Sequence, residues 1–237
     1  MKPPALEIGR IRALCFDVDG TLSDTDDLYV AQASRLLRVF LPQRTALALA
    51  RWLVMRAESP GNALYALADR LGLDDRIYRA LSRRRPKPTA PGHFLLVPGV
   101  REMLTEAVKH YPLAIVSARG EYTTLQFLEQ HHLRPFFRVV VTAHTCRRTK
   151  PSAEPLLWAA ERLGVPPESC VMIGDTVVDI RVGRAAGAQT IGVLCGFGER
   201  DELARAGADL ILPQTADIVN LLPGGLKPES VQPPASS

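Results

Sequence analysis

The 237-residue sequence is short of cysteine, lysine, aromatic residues and long apolar runs. Each shortage removes a class of protein. The four cysteines, Cys15, Cys146, Cys170 and Cys195, form no Cys-x-x-Cys pair. Neither a zinc site nor a disulfide framework is therefore expected, and Cys15 and Cys170, in apolar segments, read as reduced core thiols. Aromatic residues make up 6% of the chain and are not interleaved with its arginines. The formal net charge of +4 thus reads as arginine scattered along helices rather than a nucleic-acid surface, and it suits an anionic substrate. The most apolar helix, 46–55, is broken by Arg51 and falls short of the roughly 20 residues that span a bilayer. Met1-Lys2-Pro3-Pro4 lacks the apolar core of a secretory leader. The expectation is a cytoplasmic protein with no membrane or nucleic-acid partner, as a monomer or homodimer. There are no internal repeats.

What is present is concentrated in one stretch. Ile11, Ala13 to Phe16 and Val18 read as a buried strand that ends in Asp17-Val18-Asp19-Gly20-Thr21. Carboxylates at the end of a buried strand are costly unless neutralised, and a hard divalent cation would do that. Gly20 permits a sharp turn, and Thr21 adds a hydroxyl beside a phosphate-sized hole. The chemical reading is a nucleophile, Asp17, and an acid/base, Asp19, over a metal ion; the plainer one is a surface Asp-x-Asp-Gly turn. Three later apolar runs decide between them. Leu113 to Val116 ends in Ser117, Phe137 to Thr142 is followed by Thr149-Lys150-Pro151, and Cys170 to Gly174 ends in Asp175 with Asp179 one helical turn on. In an open parallel sheet ligands sit beyond the carboxyl ends of the strands. Such a sheet would gather Asp17, Asp19, Ser117, Lys150, Asp175 and Asp179 around one crevice.

Between the first and second of these sites lies a different texture. From Asp26 to about Arg85 apolar residues recur at helical spacing, with Pro42 and Pro60-Gly61 as breaks. Residues 82–98, with Arg83-Arg84-Arg85 and several prolines, read as a linker. From Val100 onward helix and strand patterns alternate to a last short strand at 210–212 and a last helix at 216–222. This alternation predicts an α/β protein with a doubly wound, mostly parallel, Rossmann-like sheet core and an inserted α-helical unit. The expected domains are a core of 1–23 with 96–222, a helical cap and linker over 24–95, and a disordered Pro/Gly/Ser-rich tail over 223–237.

The four motifs, in order and spanning about 11–222, resemble those of the haloacid dehalogenase-like hydrolase superfamily. Asp179-Ile180, Ala185 to Ala188, Thr190 to Val193 and Gly196-Phe197-Gly198 resemble its phosphoglycolate phosphatase-like branch. The resemblance implies an enzyme, a Mg²⁺-dependent phosphatase acting on a small phosphorylated metabolite through an aspartyl-phosphate on Asp17. It implies Asp19 as acid/base and Mg²⁺ held by the Asp17 and Asp175 carboxylates and the Asp19 backbone carbonyl, with Asp179 behind them. It implies phosphate or substrate contacts from Thr21, Ser117, Ala118, Arg119, Gly120 and Lys150. Ala118 and Val178 depart from the family pattern, since many relatives carry Asn there, and leave the specific substrate open. A sugar phosphomutase on the same scaffold and a catalytically silent binding module are the alternatives.

Overall fold

The computed structural model describes residues 6–24, 42 and 94–223. The expected helical cap and linker, but for Asp24, Pro42, Phe94 and Leu95, and the expected tail beyond Pro223 lie outside the described residues. The chain divides into two compact units, residues 1–23 with 96–237 and residues 24–95.

The first unit is built on six parallel strands. They are β1 (Ala13–Phe16), β2 (Leu113–Val116), β3 (Phe137–Val141), β4 (Cys170–Gly174), β5 (Gln189–Val193) and β6 (Leu210–Leu212). Helices α1 (Val100–Ala107), α2 (Glu121–Gln130), α3 (Glu154–Leu163), α4 (Val177–Ala185) and α5 (Arg200–Ala206) alternate with them. The sheet order is β3-β2-β1-β4-β5-β6, the doubly wound arrangement whose direction reverses between β1 and β4.

The sequence patterns follow from this placement. β1, β2, β4 and β5 are buried at every position, as strands covered on both faces are; β1, β2 and β4 read as continuous apolar runs, whereas β5 opens on Gln189 and Thr190, which bond to Glu7 and Asp209. Edge strand β3 alternates, with Arg138 exposed between buried Phe137 and Val139. On one face α3 packs on β1 to β3 and α4 on β4 and β5. There Leu156, Ala159, Ala160, Met172 and Val182 are fully buried, and each large aliphatic side chain contributes about 1.5–3 kcal/mol. Phe16 and Phe137 meet edge to face at 6.3 Å.

Two expected elements are shorter or tighter than the periodicity suggests. The helix expected over 100–111 stops at Ala107; Lys109 and His110 bond back three residues to Glu106 and Ala107, and Pro112 bars Tyr111 from the helical region. The last expected helix is a 3₁₀ helix, Thr215–Leu221. Its start is closed by a reciprocal Gln214–Asp217 cap, with the Gln214 N–H on Asp217 Oδ2 at 2.9 Å, and at its end the Leu222 N–H bonds back three residues to Val219.

One close approach fixes α4 on the sheet. A Cβ on Gly183 would lie 2.4 Å from Thr190 Cγ2 and 3.1 Å from Met172 Cβ. Thr190 cannot easily yield, because Asp209 Oδ2 accepts from both its N–H (2.7 Å) and its hydroxyl (3.0 Å). Gly183→Ala is therefore expected to lower stability by about 1–3 kcal/mol despite the better helix former. Gly9→Ala, with nothing within 4 Å of the new methyl, should stay within about 0.5 kcal/mol. Thermal unfolding of the two variants against wild type checks both.

Candidate active site

The carboxyl ends of β1 and β4 lie side by side, since Phe16 is in register with Ile173 and the Asp17 N–H donates to the Ile173 carbonyl at 2.9 Å. Asp17 and Asp175 thereby leave the sheet next to each other at the point where strand order reverses. The chain then folds on itself: the Val18 carbonyl accepts from Leu22 N (2.9 Å) and Ser23 N (2.8 Å), and Gly20 adopts φ +70°. Ser23 bridges antiparallel to Leu96, so the segments leaving and re-entering this unit are hydrogen-bonded side by side.

Asp17, Asp175 and Asp179 are all buried, and each offers a carboxylate oxygen to a cluster whose atoms lie within 4.8 Å of one another. Lys150 reaches this cluster from the loop after β3. Its Nζ donates to Asp17 Oδ1 at 2.8 Å and to Asp179 Oδ1 at 2.6 Å, with 3% of the side chain exposed. Burial alone would drive the Lys150 pKa down, but the two carboxylates override it and the ammonium is held above the ordinary lysine range. Burial pushes the Asp17 carboxyl up to about 7; Lys150 opposes this, and the charges of Asp179 and Asp19 add to it.

The second oxygen of Asp179 is also committed. Asp179 Oδ2 accepts the Thr176 N–H (3.1 Å) and hydroxyl (2.7 Å), closing the capping box of α4. Gly174 makes room for it, since a Cβ there would lie 2.2 Å from Asp179 Cγ. Asp179 thus positions Lys150 with one oxygen and starts its helix with the other.

Asp175 is enclosed by backbone. Phe197 N–H donates to its Oδ2 at 2.9 Å, and the buried Thr21 hydroxyl donates to its Oδ1 at 3.4 Å. Thr21, expected beside phosphate, is aimed at this carboxylate, and its carbonyl accepts the Thr215 hydroxyl at 2.7 Å. A Cβ on Gly20 or on Gly196 would lie 2.2 Å from Asp175 Oδ2, and one on Gly198 would lie 1.8 Å from the Asp175 carbonyl oxygen. Only glycines let these loops close on the carboxylate. Gly196-Phe197-Gly198 stands out in the sequence through the branch resemblance, but its contact with Asp175 was not legible there.

The remaining expected residues lie near the ends of β1 and β2. Ser117 is buried, its N–H donates to the Val141 carbonyl (3.0 Å), and its Oγ accepts the Arg119 N–H (3.1 Å). Ala118 is exposed. Arg119 turns its guanidinium to Asp19: Nε donates to Oδ2 at 3.0 Å and Nη2 to Oδ1. The sequence reading did not foresee that pair. Asp19 is half-buried, and its carboxylate is not part of the Asp17–Asp175–Asp179 cluster.

The donor set fits a divalent cation of the Mg²⁺ kind. It consists of carboxylate oxygens with no sulfur or imidazole, the ligands hard cations select, and three carboxylates gather there around one ammonium.

Comparison with known proteins agrees with this arrangement. A family profile described as haloacid dehalogenase-like hydrolase matches residues 14–193. A phosphoglycolate phosphatase of Chromobacterium violaceum is 32% identical over 93% of this chain and 100% of its own length. Pyrophosphatase PpaX of Bacillus pumilus is 29% identical over 90% of this chain and 96% of its own. The crystal structure of a hydrolase from Pseudomonas syringae superposes with a TM-score of 0.63 at 26% identity, covering 88% of this chain and 96% of that one.

Two outcomes are expected from metal and pH. At about a hundred times its dissociation constant, Mg²⁺ should stabilise the protein by about 2.7 kcal/mol, a rise of roughly 5–10 °C in melting temperature for a chain of this size, and Asp175→Asn should remove that rise. In EDTA the Asp17 carboxyl is held at about 7 in the fold against 3.8 ordinarily. A raised acid pKa favours the fold below about pH 4, and that contribution is lost as pH climbs through 7. Asp17→Asn, which cannot ionise, should therefore be more stable than metal-free wild type at about pH 8, by up to about 4 kcal/mol, with the gap closing below about pH 4. Melting curves across pH, with and without Mg²⁺, check both.

Proposed function

The chain belongs to the haloacid dehalogenase-like hydrolases, in the phosphoglycolate phosphatase-like branch, and from that premise we propose that it is a Mg²⁺-dependent phosphatase of a small phosphomonoester. One observation carries the reading: a buried aspartate at the carboxyl end of β1, ion-paired to a buried lysine and clustered with two further carboxylates whose oxygens lie within 4.8 Å of one another. Relatives named for phosphoglycolate and for pyrophosphate support a small, strongly anionic substrate. A cytoplasmic metabolite is the setting that suits such chemistry; among the described residues no helix is long and apolar enough to cross a membrane.

Phosphoryl transfer is largely positioning and charge neutralisation. The Asp17 carboxylate attacks phosphorus and forms a new P–O bond. The bond from phosphorus to the alcohol oxygen breaks, and protonated Asp19 hands that oxygen its proton, leaving an aspartyl-phosphate and a free alcohol. Water then attacks phosphorus, Asp19 takes its proton, and the P–O bond to Asp17 breaks to give inorganic phosphate and the original carboxylate. Asp17, Asp175 and the Asp19 carbonyl would hold Mg²⁺, which when bound supplies neutralising charge for the phosphate oxygens. Lys150 favours the ionised form of Asp17 against the cost of burial and fixes its Oδ1, and Asp179 keeps Lys150 in place. Ser117, which turns the loop after β2, is the group to meet a phosphate oxygen.

The test is phosphate release with Mg²⁺ from 2-phosphoglycolate, pyrophosphate, sugar phosphates and nucleotides. Wild type should release phosphate only with the metal, Asp17→Asn should release none, and Asp19→Asn should be slower by about 10²–10⁴-fold. Phosphate migration within a sugar phosphate without net release would replace the phosphatase with a mutase. Binding of phosphate esters without turnover would leave a silent binding module.

A further inference from the structure

Asp17 and Asp19 are separated by one residue yet have different environments. Asp17 is tied to Lys150, whereas the Asp19 carboxylate is gripped at both oxygens by the Arg119 guanidinium. The Arg119 side chain is 10% exposed, against 37% for Asp19, so the arginine is the fixed partner of the two. It is anchored on its own loop, on the loop after β3 and on α2: its N–H donates to Ser117 Oγ at 3.1 Å, its carbonyl accepts from Ala143 N at 3.0 Å, and its guanidinium lies 5.9 Å from the centre of the Phe127 ring. A guanidinium bound at two points fixes the plane and direction of a carboxylate as a single ammonium cannot. The stiffness of the Arg119 backbone is thereby passed to an aspartate that sits in a turn.

We propose that Arg119 is a positioning residue for the acid/base step, holding Asp19 through its guanidinium rather than contacting the phosphoryl group: the carboxylate takes both points of the fork, and protonated Asp19 keeps one accepting oxygen on it while the other carries the proton. The inference rests on the phosphatase reading above and goes beyond it, since the resemblance implies Arg119 only as a substrate contact. Its consequence is a dependence on the leaving group. Departure of an alkoxide needs a proton from Asp19 in the transition state, and a misdirected acid costs rate in proportion to that need. Departure of p-nitrophenolate, a weak base, needs hardly any.

The experiment compares kcat/KM, which reports the steps through the first departure of the leaving group, for an alkyl phosphate such as 2-phosphoglycolate and for p-nitrophenyl phosphate. Arg119→Gln should lower the alkyl value by about 10- to 100-fold and the aryl value by less than about threefold. Inhibition by inorganic phosphate should stay within about twofold of wild type. Arg119→Lys, which keeps the charge but not the fork, should show the same alkyl-selective loss in smaller measure. In an Asp19→Asn background it should leave the alkyl-to-aryl ratio unchanged, because the group it positions is gone; this arm also serves if Arg119→Gln does not fold. Equal losses on both esters with weaker phosphate inhibition would make Arg119 a phosphate contact and overturn the proposal, as would no loss on either. Wild-type protein that hydrolyses neither ester overturns the phosphatase reading itself, and the positioning role with it.

Discussion

Three buried carboxylates share one buried ammonium, and the rest of the site is arranged around that imbalance. Asp17, Asp175 and Asp179 converge within 4.8 Å, and Lys150 pairs directly with Asp17 and Asp179. Uncompensated buried charge is among the most costly features a fold can hold. The protein limits the cost by local donors: Thr176 serves Asp179, and Phe197 N–H and the Thr21 hydroxyl serve Asp175. What remains falls on Asp17, whose carboxyl is lifted to about 7. A site with this residual charge is poised for a cation, and the same cation relieves the cost and completes the chemistry.

The fold makes this convergence possible by placing strand ends, not by long-range design of each contact. Reversal of strand order between β1 and β4 leaves a gap where no crossover helix covers the strand ends. Asp17 and Asp175 are the first residues past those two ends, so their proximity is set by the β1–β4 register. α4 begins at once after Asp175, and its capping geometry puts Asp179 back over the sheet end. The helix is held there by the close contact of Gly183 with Thr190 and Met172. Packing on the sheet and positioning of the third carboxylate are therefore one constraint.

The elements that can be read from sequence are those set by local pattern. Continuous apolar runs gave β1, β2 and β4 because strands covered on both faces have no polar side to betray them, and β5, which opens on Gln189 and Thr190, followed from the alternation of helix and strand patterns. The motif residues Asp17, Asp175 and Asp179 were legible because they follow those runs closely, and a carboxylate at the end of a buried strand is out of place unless it serves a site. Lys150 was legible as a rare lysine one loop past β3. The Gly196–Gly198 loop was visible only through the branch resemblance, since its purpose depends on backbone approach to a residue some twenty positions earlier. The Asp19–Arg119 pair was not legible at all: the partners are a hundred positions apart, and nothing in either neighbourhood distinguishes an arginine aimed at a carboxylate from one aimed at phosphate. The 3₁₀ form of the last helix was not legible, since apolar periodicity does not separate so short a stretch of 3₁₀ helix from an α-helix.

Asp17 and Asp19 together show how one short turn can supply two different chemical functions. A nucleophile must stay ionised and hold one position, and Asp17 is buried against Lys150 with 11% of its side chain exposed. An acid/base must exchange protons with a leaving group and with water, and Asp19 keeps more than a third of its side chain open. Carboxylates with the same intrinsic acidity acquire separate roles when their surroundings differ in this way. Val18, fully buried between them, pins the turn so that the two side chains cannot exchange places. The bend at Val18, just past the end of β1, sends the first carboxylate to the lysine and the second to the arginine.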